Sequence, residues 1–130
     1  MKIYDLTFIR KTTSTTFNIG FFSSYEKAEA AAQKYMTEVR GFCSGDFLYH
    51  ISEKNLFDST GEIMPESIFI VYGWNDENDD DPQMIESDCY AFENQAQDKL
   101  AELKIKYCWK DWCIDRYVID ECDWQEGVIG

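Results

Sequence analysis

The sequence carries the same order of structural patterns twice, and this repeat limits the possible folds more than any other feature. In each half, two strand-like runs precede a helical pattern, and a further strand-like run follows it. The strand-like runs occupy residues 3–9, 17–22 and 47–51 in the first half, and residues 68–72, 84–85 and 113–119 in the second. A repeat of this length predicts two copies of one small structural unit.

The repeat predicts an α+β fold that is divided near the middle of the chain. We expect residues 1–62 to form the first unit and residues 67–130 the second, with residues 58–66 as the linker. Each unit has one helix to cover one face of its sheet, which is a stable two-layer arrangement. We therefore predict two similar ββαβ units, packed as a pseudo-symmetric two-layer sheet/helix domain that forms one compact body.

Helical spacing is present in both halves. In the first half, Ser23 followed by Glu26 is typical of a capping box, in which two side chains satisfy backbone N–H groups at the start of a helix. Apolar side chains then recur at helical intervals. They are Ala28, Ala31, Ala32, Tyr35 and Val39 in the first half, and Ala96, Leu100, Leu103 and Tyr107 in the second.

Two short runs of residues, one in each half, carry a resemblance to a known family. Residues 20–31 read Gly-Phe-Phe-Ser-Ser-Tyr-Glu-Lys-Ala-Glu-Ala-Ala and are followed by Gly41-Phe42. Residues 117–121 read Tyr-Val-Ile-Asp-Glu and are followed by Trp-Gln-Glu-Gly at residues 124–127. These runs resemble a small bacterial α+β domain family of unknown function. Because each half carries one of the two runs, the chain resembles two diverged tandem copies. The resemblance implies the fold and no activity.

Charge is distributed unequally along the chain. Residues 66–130 contain 17 of the 25 acidic residues but only five of the twelve basic ones, so this half has a net charge of −12. Residues 1–65 have a net charge of −1. Such an excess of one sign influences partners and solubility rather than the fold. The charge favours a basic protein as partner, and it argues against direct binding of nucleic acid or of an anionic membrane.

The sequence gives no sign of export, membrane insertion or a bound cofactor. Asp5 and Arg10 interrupt the first apolar run, which is not expected of a signal peptide. No run approaches the ~18 apolar residues that a membrane span requires. The five cysteines have no framework spacing, and we expect free thiols. We therefore expect a cytoplasmic protein without metal or cofactor.

An acidic run between two strand patterns is the first candidate binding segment. Asp76, Asp79, Asp80 and Asp81 are expected to steer a basic partner towards the protein. The run partly resembles a calcium-binding loop, but Ser87 stands where a bidentate glutamate is needed. The alternative interpretation is an ordinary solvated connection between two strands.

A second group of candidates combines carboxylates and aromatic rings near the end of the chain. It comprises Asp115, Asp120, Asp123, Trp112 and Trp124. Arginine pairs with carboxylates and stacks on rings, so this composition suits a basic cleft. The alternative is that the rings point inward while the carboxylates solvate the outside.

These features favour a non-catalytic inhibitor that covers a basic, nucleic-acid-binding or catalytic surface of a target protein. Immunity proteins for nuclease toxins and phage anti-defence or anti-CRISPR proteins have this physical character. A second hypothesis is an accessory domain that binds a small ligand or oligomerises, with its site between the two units. A third is a small enzyme that uses Cys43 and His50 as a nucleophile pair, although no orienting third group is visible. We rank the enzyme last.

Overall fold

The fold is described from a computed structural model that covers residues 1–57, 64–75 and 83–128. The described residues form seven strands, two α-helices and one short 3-10 helix. In chain order these elements are β1 (Lys2–Arg10), β2 (Thr16–Phe22), α1 (Tyr25–Glu38), the 3-10 helix (Phe42–Ser44), β3 (Phe47–Phe57), β4 (Ser67–Asn75), β5 (Gln83–Glu86), β6 (Cys89–Tyr90), α2 (Glu93–Tyr107) and β7 (Asp111–Val118). The predicted α+β class and the order of the elements are confirmed, with β6 as an unpredicted addition.

The contacts within the chain divide it into two compact units. The first unit contains Lys2–Lys54 and Val118–Gly130, and the second contains Met1 and Asn55–Tyr117. Strand β3 therefore begins in the first unit and ends in the second. Residues 58–63 of the predicted linker lie outside the described residues. The main difference from the sequence-based division is that the last part of the chain packs with the first unit.

The first unit is a three-stranded sheet covered by α1. Strand β1 lies between β2 and β3, and it pairs antiparallel with β2. The pairing shifts between Leu6 and Thr7, where Ile19 is the extra residue of a bulge. Aromatic rings fill much of the space between sheet and helix. The buried core consists of Leu6, Phe8, Ile19, Phe22, Ala28, Ala32, Tyr35, Val39, Phe42, Phe47 and Val128.

Helix α1 begins one residue later than its predicted capping box. The N-cap is Ser24, whose hydroxyl accepts a hydrogen bond from the Lys27 backbone N–H. Ser23, the predicted cap, instead binds the carboxylate of Asp120. The sequence pattern located the start of the helix but not this partner, because Asp120 is 97 residues away. The predicted apolar face is otherwise confirmed, since Ala28, Ala32 and Tyr35 are buried.

Residues 118–128, here called the C-terminal segment, complete the first unit. Its backbone N–H groups donate to β2, from Asp120 to Phe21 at 2.8 Å and from Asp123 to Ile19 at 2.7 Å. Further along, Val128 enters the core and its N–H donates to the Arg40 carbonyl at 3.0 Å. Edge strands with unpaired N–H and C=O groups invite association. The C-terminal segment therefore covers part of the outer edge of β2.

The second unit is a sheet centred on β4 and covered by α2. Strand β4 pairs with β7 and antiparallel with both β5 and β6. Strand β6 pairs in parallel with the end of β3, through Leu56 and Phe57. The buried core between sheet and helix is small. It contains Val71, Ala96 and Leu103, with Phe69, Tyr90, Leu100, Tyr107, Trp112 and Ile114 packed against it.

Helix α2 presents the predicted face to the sheet. Its start is held by the Gln95 side chain, which accepts a hydrogen bond from the Phe92 backbone N–H at 3.3 Å. Its end is the left-handed residue Cys108, whose N–H donates to the Lys104 carbonyl at 3.1 Å. In the described part of the chain, neither helix has the length and apolar character that crossing a membrane requires.

Candidate partner-binding surfaces

The acidic run that we predicted as a binding segment connects β4 to β5. Asp76, Asp79, Asp80 and Asp81 lie outside the described residues, so their role stays a prediction. The strands on either side are described, because β4 ends at Asn75 and β5 begins at Gln83. The ends of β4 and β5 therefore form the described surface at the base of this run.

Two large apolar side chains are exposed at the base of the acidic run. Trp74 and Met84 face each other across β4 and β5, with 38% and 58% of their surface exposed. Directly opposed residues of an antiparallel pair share one face of the sheet. Tyr72 and its partner Glu86 lie on the same face, and the Tyr72 ring stacks on Trp74 with centroids 6.2 Å apart. We call Tyr72, Trp74, Met84 and Glu86 the β4–β5 surface.

Strand β7 adds a carboxylate to this side of the sheet. The Tyr117 hydroxyl lies 2.9 Å from the Tyr72 hydroxyl. Burial, followed by this hydrogen bond and by Asp115, raises the pKa of Tyr72, so the hydroxyl is uncharged at neutral pH. Burial and a hydrogen bond with Asp115 also raise the pKa of Cys113. Asp115, a predicted binding residue, is itself exposed beside these groups.

Trp112, another predicted binding residue, belongs to the opposite side of the sheet. Its ring packs with the core beneath α2 and lies against Gly73, where an added Cβ atom would overlap it. It also stacks on Trp109 at 6.0 Å, and its indole N–H donates to the Trp109 carbonyl at 2.8 Å. The described contacts of Trp112 are therefore those of a packing residue. The alternation of β7 places it and Asp115 on different faces.

Asp120, predicted to meet a partner, is engaged inside the first unit. Its carboxylate accepts hydrogen bonds from the Ser23 N–H and hydroxyl, both at 2.8 Å, and from the Lys27 ammonium at 3.1 Å. Burial alone would raise the pKa of Asp120, but these donors together lower it. The carboxylate thus links the C-terminal segment to the start of α1, where a negative charge is also favoured by the helix dipole.

Asp123 and Trp124 also lie in the C-terminal segment. The Asp123 carbonyl accepts a hydrogen bond from the Tyr35 hydroxyl at 2.7 Å, while its side chain is exposed. The Trp124 ring meets the edge of Phe17 at 5.0 Å and is 47% exposed. The second predicted group is therefore divided between the two units, with Asp115 and Trp112 in one and the remaining three in the other.

A groove that sequence reasoning missed lies at the end of β3 in the second unit. Its volume is about 330 Å³, and an aromatic pair, Phe57 and Tyr90, forms part of its wall. The rest of the lining is polar or charged and consists of Asp88, Gln95, Asp98, Lys99 and Glu102. These residues come from three separate parts of the chain, so no local pattern indicates the groove.

A second groove, of about 460 Å³, lies in the first unit between α1 and the C-terminal segment. Ala31, Val39 and Ile119 give it apolar walls, and Lys34 and Cys122 add polar groups. Burial raises the pKa of the Cys122 thiol, although Tyr35 and Lys34 act in the opposite direction. The thiol is therefore mainly protonated at neutral pH, which makes it a poor nucleophile.

The metal-ligating residue types and the proposed nucleophile pair can be located among the described residues. Within residues 1–57, 64–75 and 83–128, no three His, Cys, Asp or Glu side chains lie together in a way that could hold a metal ion. Cys43 and His50, the nucleophile pair of the third hypothesis, are both exposed.

Comparisons with protein-family models, with curated proteins and with solved structures give no match for this chain. The resemblance to a small bacterial domain family, carried by residues 20–31 and 117–127, therefore stays a prediction. Function has to be argued from the surfaces described above.

Proposed function

We propose that this chain is a non-catalytic inhibitor whose acidic second unit binds a basic surface of a target protein. The observation that carries the proposal is the exposed Trp74–Met84 pair at the base of the acidic run at residues 76–81. Asp115 lies on the same side of the sheet. The surface thus combines apolar anchors with carboxylates, as a cleft rich in arginine and lysine requires.

The net charge of each unit supports this choice of surface. The second unit contains five basic and fifteen acidic residues, a net charge of −10, whereas the first contains seven and ten, a net charge of −3. Carboxylates concentrated on one unit attract a basic target over distances comparable with the Debye length of about 8 Å. In this mechanism they take the place of nucleic-acid phosphates, and the aromatic side chains supply the desolvated contacts.

The proposed targets are nuclease toxins and nucleic-acid-targeting defence complexes, because both present basic grooves. In this proposal the protein acts in the cytoplasm as an immunity or anti-defence protein. The two halves of the sequence, residues 1–62 and 67–130, are proposed to be diverged tandem copies that form a pseudo-symmetric pair. The copy with fewer unpaired charges would stabilise the fold, while the other binds.

Association kinetics with a panel of purified nuclease toxins and CRISPR effector complexes test the proposal. We expect D79K/D80K/D81K to slow association about tenfold or more at low salt and to flatten its salt dependence, because steering depends on long-range charge. W74A should mainly accelerate dissociation. Binding and inhibition are measured by interferometry and by nuclease assay.

A matched control keeps the same change in total charge. The variant E38K/E53K/E126K reverses three exposed carboxylates of the first unit and should alter association much less. Equal effects of the two triple variants would show that only total charge matters and would contradict the proposed surface. A complete absence of inhibition across the panel would contradict the proposed role.

The 460 Å³ groove of the first unit favours a second candidate, an accessory domain that binds a small ligand. Its volume falls within the usual range for such sites, roughly 300–1,000 Å³. This candidate predicts a rise in melting temperature with a metabolite and no response to the reversals at residues 79–81.

A further inference from the structure

We propose that the groove beside Phe57 and Tyr90 binds the guanidinium group of an arginine side chain. The inference rests on the proposed function for the source of that arginine, which is the basic target protein. The groove lies on the α2 side of the sheet, because Tyr90 packs against the α2 core. It is therefore separate from the β4–β5 surface and can be tested separately.

Two aromatic rings form part of the wall of the groove. Phe57 and Tyr90 are neighbours on the parallel strands β3 and β6, and their rings stack at 5.6 Å with 26° between the planes. Phe57 is 49% exposed although it is large and apolar. The neighbouring backbone is fixed by a hydrogen bond from the Ala91 N–H to the Phe57 carbonyl at 2.9 Å. A planar cation gains from stacking on such an exposed ring face.

Carboxylates surround this wall and outnumber the cations beside it. Asp98 and Glu102 are four residues apart on α2 and therefore lie on one side of the helix. Lys99 pairs with Glu102 at 3.3 Å. Among the described residues, the side chains of Asp88 and Asp98 have no ion-pair partner. The groove therefore contains two carboxylates whose charge is not compensated locally.

Two of the carboxylates in the groove, Asp88 and Glu102, act on the Tyr90 hydroxyl. Burial raises the pKa of its hydroxyl, Lys99 lowers it, and Asp88 and Glu102 raise it. The carboxylates therefore lie close enough to affect a group on the ring. A cation in the groove would therefore have carboxylates and an aromatic ring as neighbours.

Arginine fits the groove better than other side chains. Its guanidinium stacks on rings and offers paired donors to carboxylates, whereas the lysine ammonium is a compact and strongly hydrated charge. The volume of about 330 Å³ is at the lower end of the range for small-molecule sites, which suits a single side chain. An apolar side chain would leave the carboxylates desolvated without a partner, which is unfavourable.

Titration of the full chain with N-acetyl-argininamide, followed by two-dimensional NMR, tests the inference. N-acetyl-citrullinamide is the uncharged analogue of nearly the same shape. We expect saturable shifts centred on Phe57, Tyr90 and Asp98, with the citrulline compound and the lysine analogue each binding about two- to fivefold more weakly. The variants F57A and D98N should each weaken binding by a similar factor. The matched control D111N, which removes an exposed carboxylate of β7, should leave binding unchanged.

Each outcome decides for or against the groove. Shifts spread over all exposed carboxylates, equal binding of the three compounds, or equal effects of D98N and D111N would each overturn the inference. If N-acetyl-argininamide did not bind but D79K/D80K/D81K still slowed association with the target, the groove would be ruled out and the proposed function would be retained. If N-acetyl-argininamide bound but D79K/D80K/D81K did not slow association, the groove would be supported and the steering role of residues 79–81 would be contradicted.

Discussion

Each unit contains one α-helix and several strands, but the two units place their aromatic side chains differently. In the first unit, Phe8, Phe42 and Phe47 are buried and in mutual ring contact, with centroids 4.9–6.4 Å apart. In the second unit, Phe57 and Trp74 stack on neighbouring tyrosines but remain 49% and 38% exposed. Phe8, Phe42 and Phe47 thus stabilise the core of the first unit, whereas Phe57 and Trp74, like Trp124 of the first unit, add to the exposed apolar surface.

The carboxylates show a similar difference. In the first unit, Asp5 pairs with Lys54 at 3.8 Å and binds Asn18, and Asp120 pairs with Lys27 at 3.1 Å. In the second unit, Asp88 and Asp98 have no ion-pair partner among the described residues. In the proposed function, partner binding would therefore use the carboxylates that the fold itself does not engage.

The largest expected effect separates buried from exposed aromatic residues. Phe42 is fully buried, so F42A should lower the free energy of unfolding by about 3–5 kcal/mol through lost burial and a cavity. W74A, at a half-exposed position of the second unit, should cost less than about 1 kcal/mol. Chemical denaturation of both variants measures the difference. If W74A lowered the free energy of unfolding as much as F42A, the proposed difference between buried and exposed aromatic residues would be contradicted.

A smaller effect is expected from two glycines that lie under close neighbours. An added Cβ atom at Gly20 would overlap the Glu121 carbonyl, and one at Gly73 would overlap the Trp112 ring. Overpacking costs about 1–3 kcal/mol, and we expect G20A to approach the upper value because a backbone group has to move. Thermal denaturation of G20A and G73A shows which of the two substitutions destabilises the protein more. If G73A proved more damaging, the C-terminal segment would be less firmly held than its contacts indicate.

The smallest expected effect depends on pH. The pKa of Asp120 is lower in the folded chain than the ordinary value of about 3.9, so the ionised form favours the folded state. Its contribution is fully present above that ordinary value and is lost as the pH falls through the folded pKa. D120N should therefore cost about 1 kcal/mol at pH 7 and progressively less below pH ~4. A cost independent of pH would show that charge is not involved. Asparagine also tolerates the positive φ of 65° at this position.

Local patterns in the sequence were sufficient for the elements but not for their partners. The apolar spacing of Ala96 and Leu103 predicted the buried face of α2, because helical periodicity is a local property. The role of Asp120 could not be predicted, since its donors, Ser23 and Lys27, lie more than 90 residues away. The packing of residues 118–128 with the first unit could not be predicted either, because these contacts also join residues that are distant in sequence.

The candidate binding residues illustrate the same limit. Asp115 and Tyr117 are two residues apart on β7 and share a face, and both lie beside Tyr72. The same alternation should have separated Trp112 from Asp115. The groove at Phe57 had no sequence signal, because α2, β3 and the residues before β6 meet there only after folding.

The return of the C-terminal segment has a consequence for how the chain is made. Val128 belongs to the core around Phe42, and the Tyr35 hydroxyl is satisfied by the Asp123 carbonyl. The ribosome therefore has to add Val128 before the core around Phe42 can be completed. Contacts between residues so distant in sequence form slowly, so the nascent β2 edge stays open during synthesis. A chain shortened to residues 1–65 would therefore lack residues 118–128, which cover the edge of β2 and complete the core of the first unit.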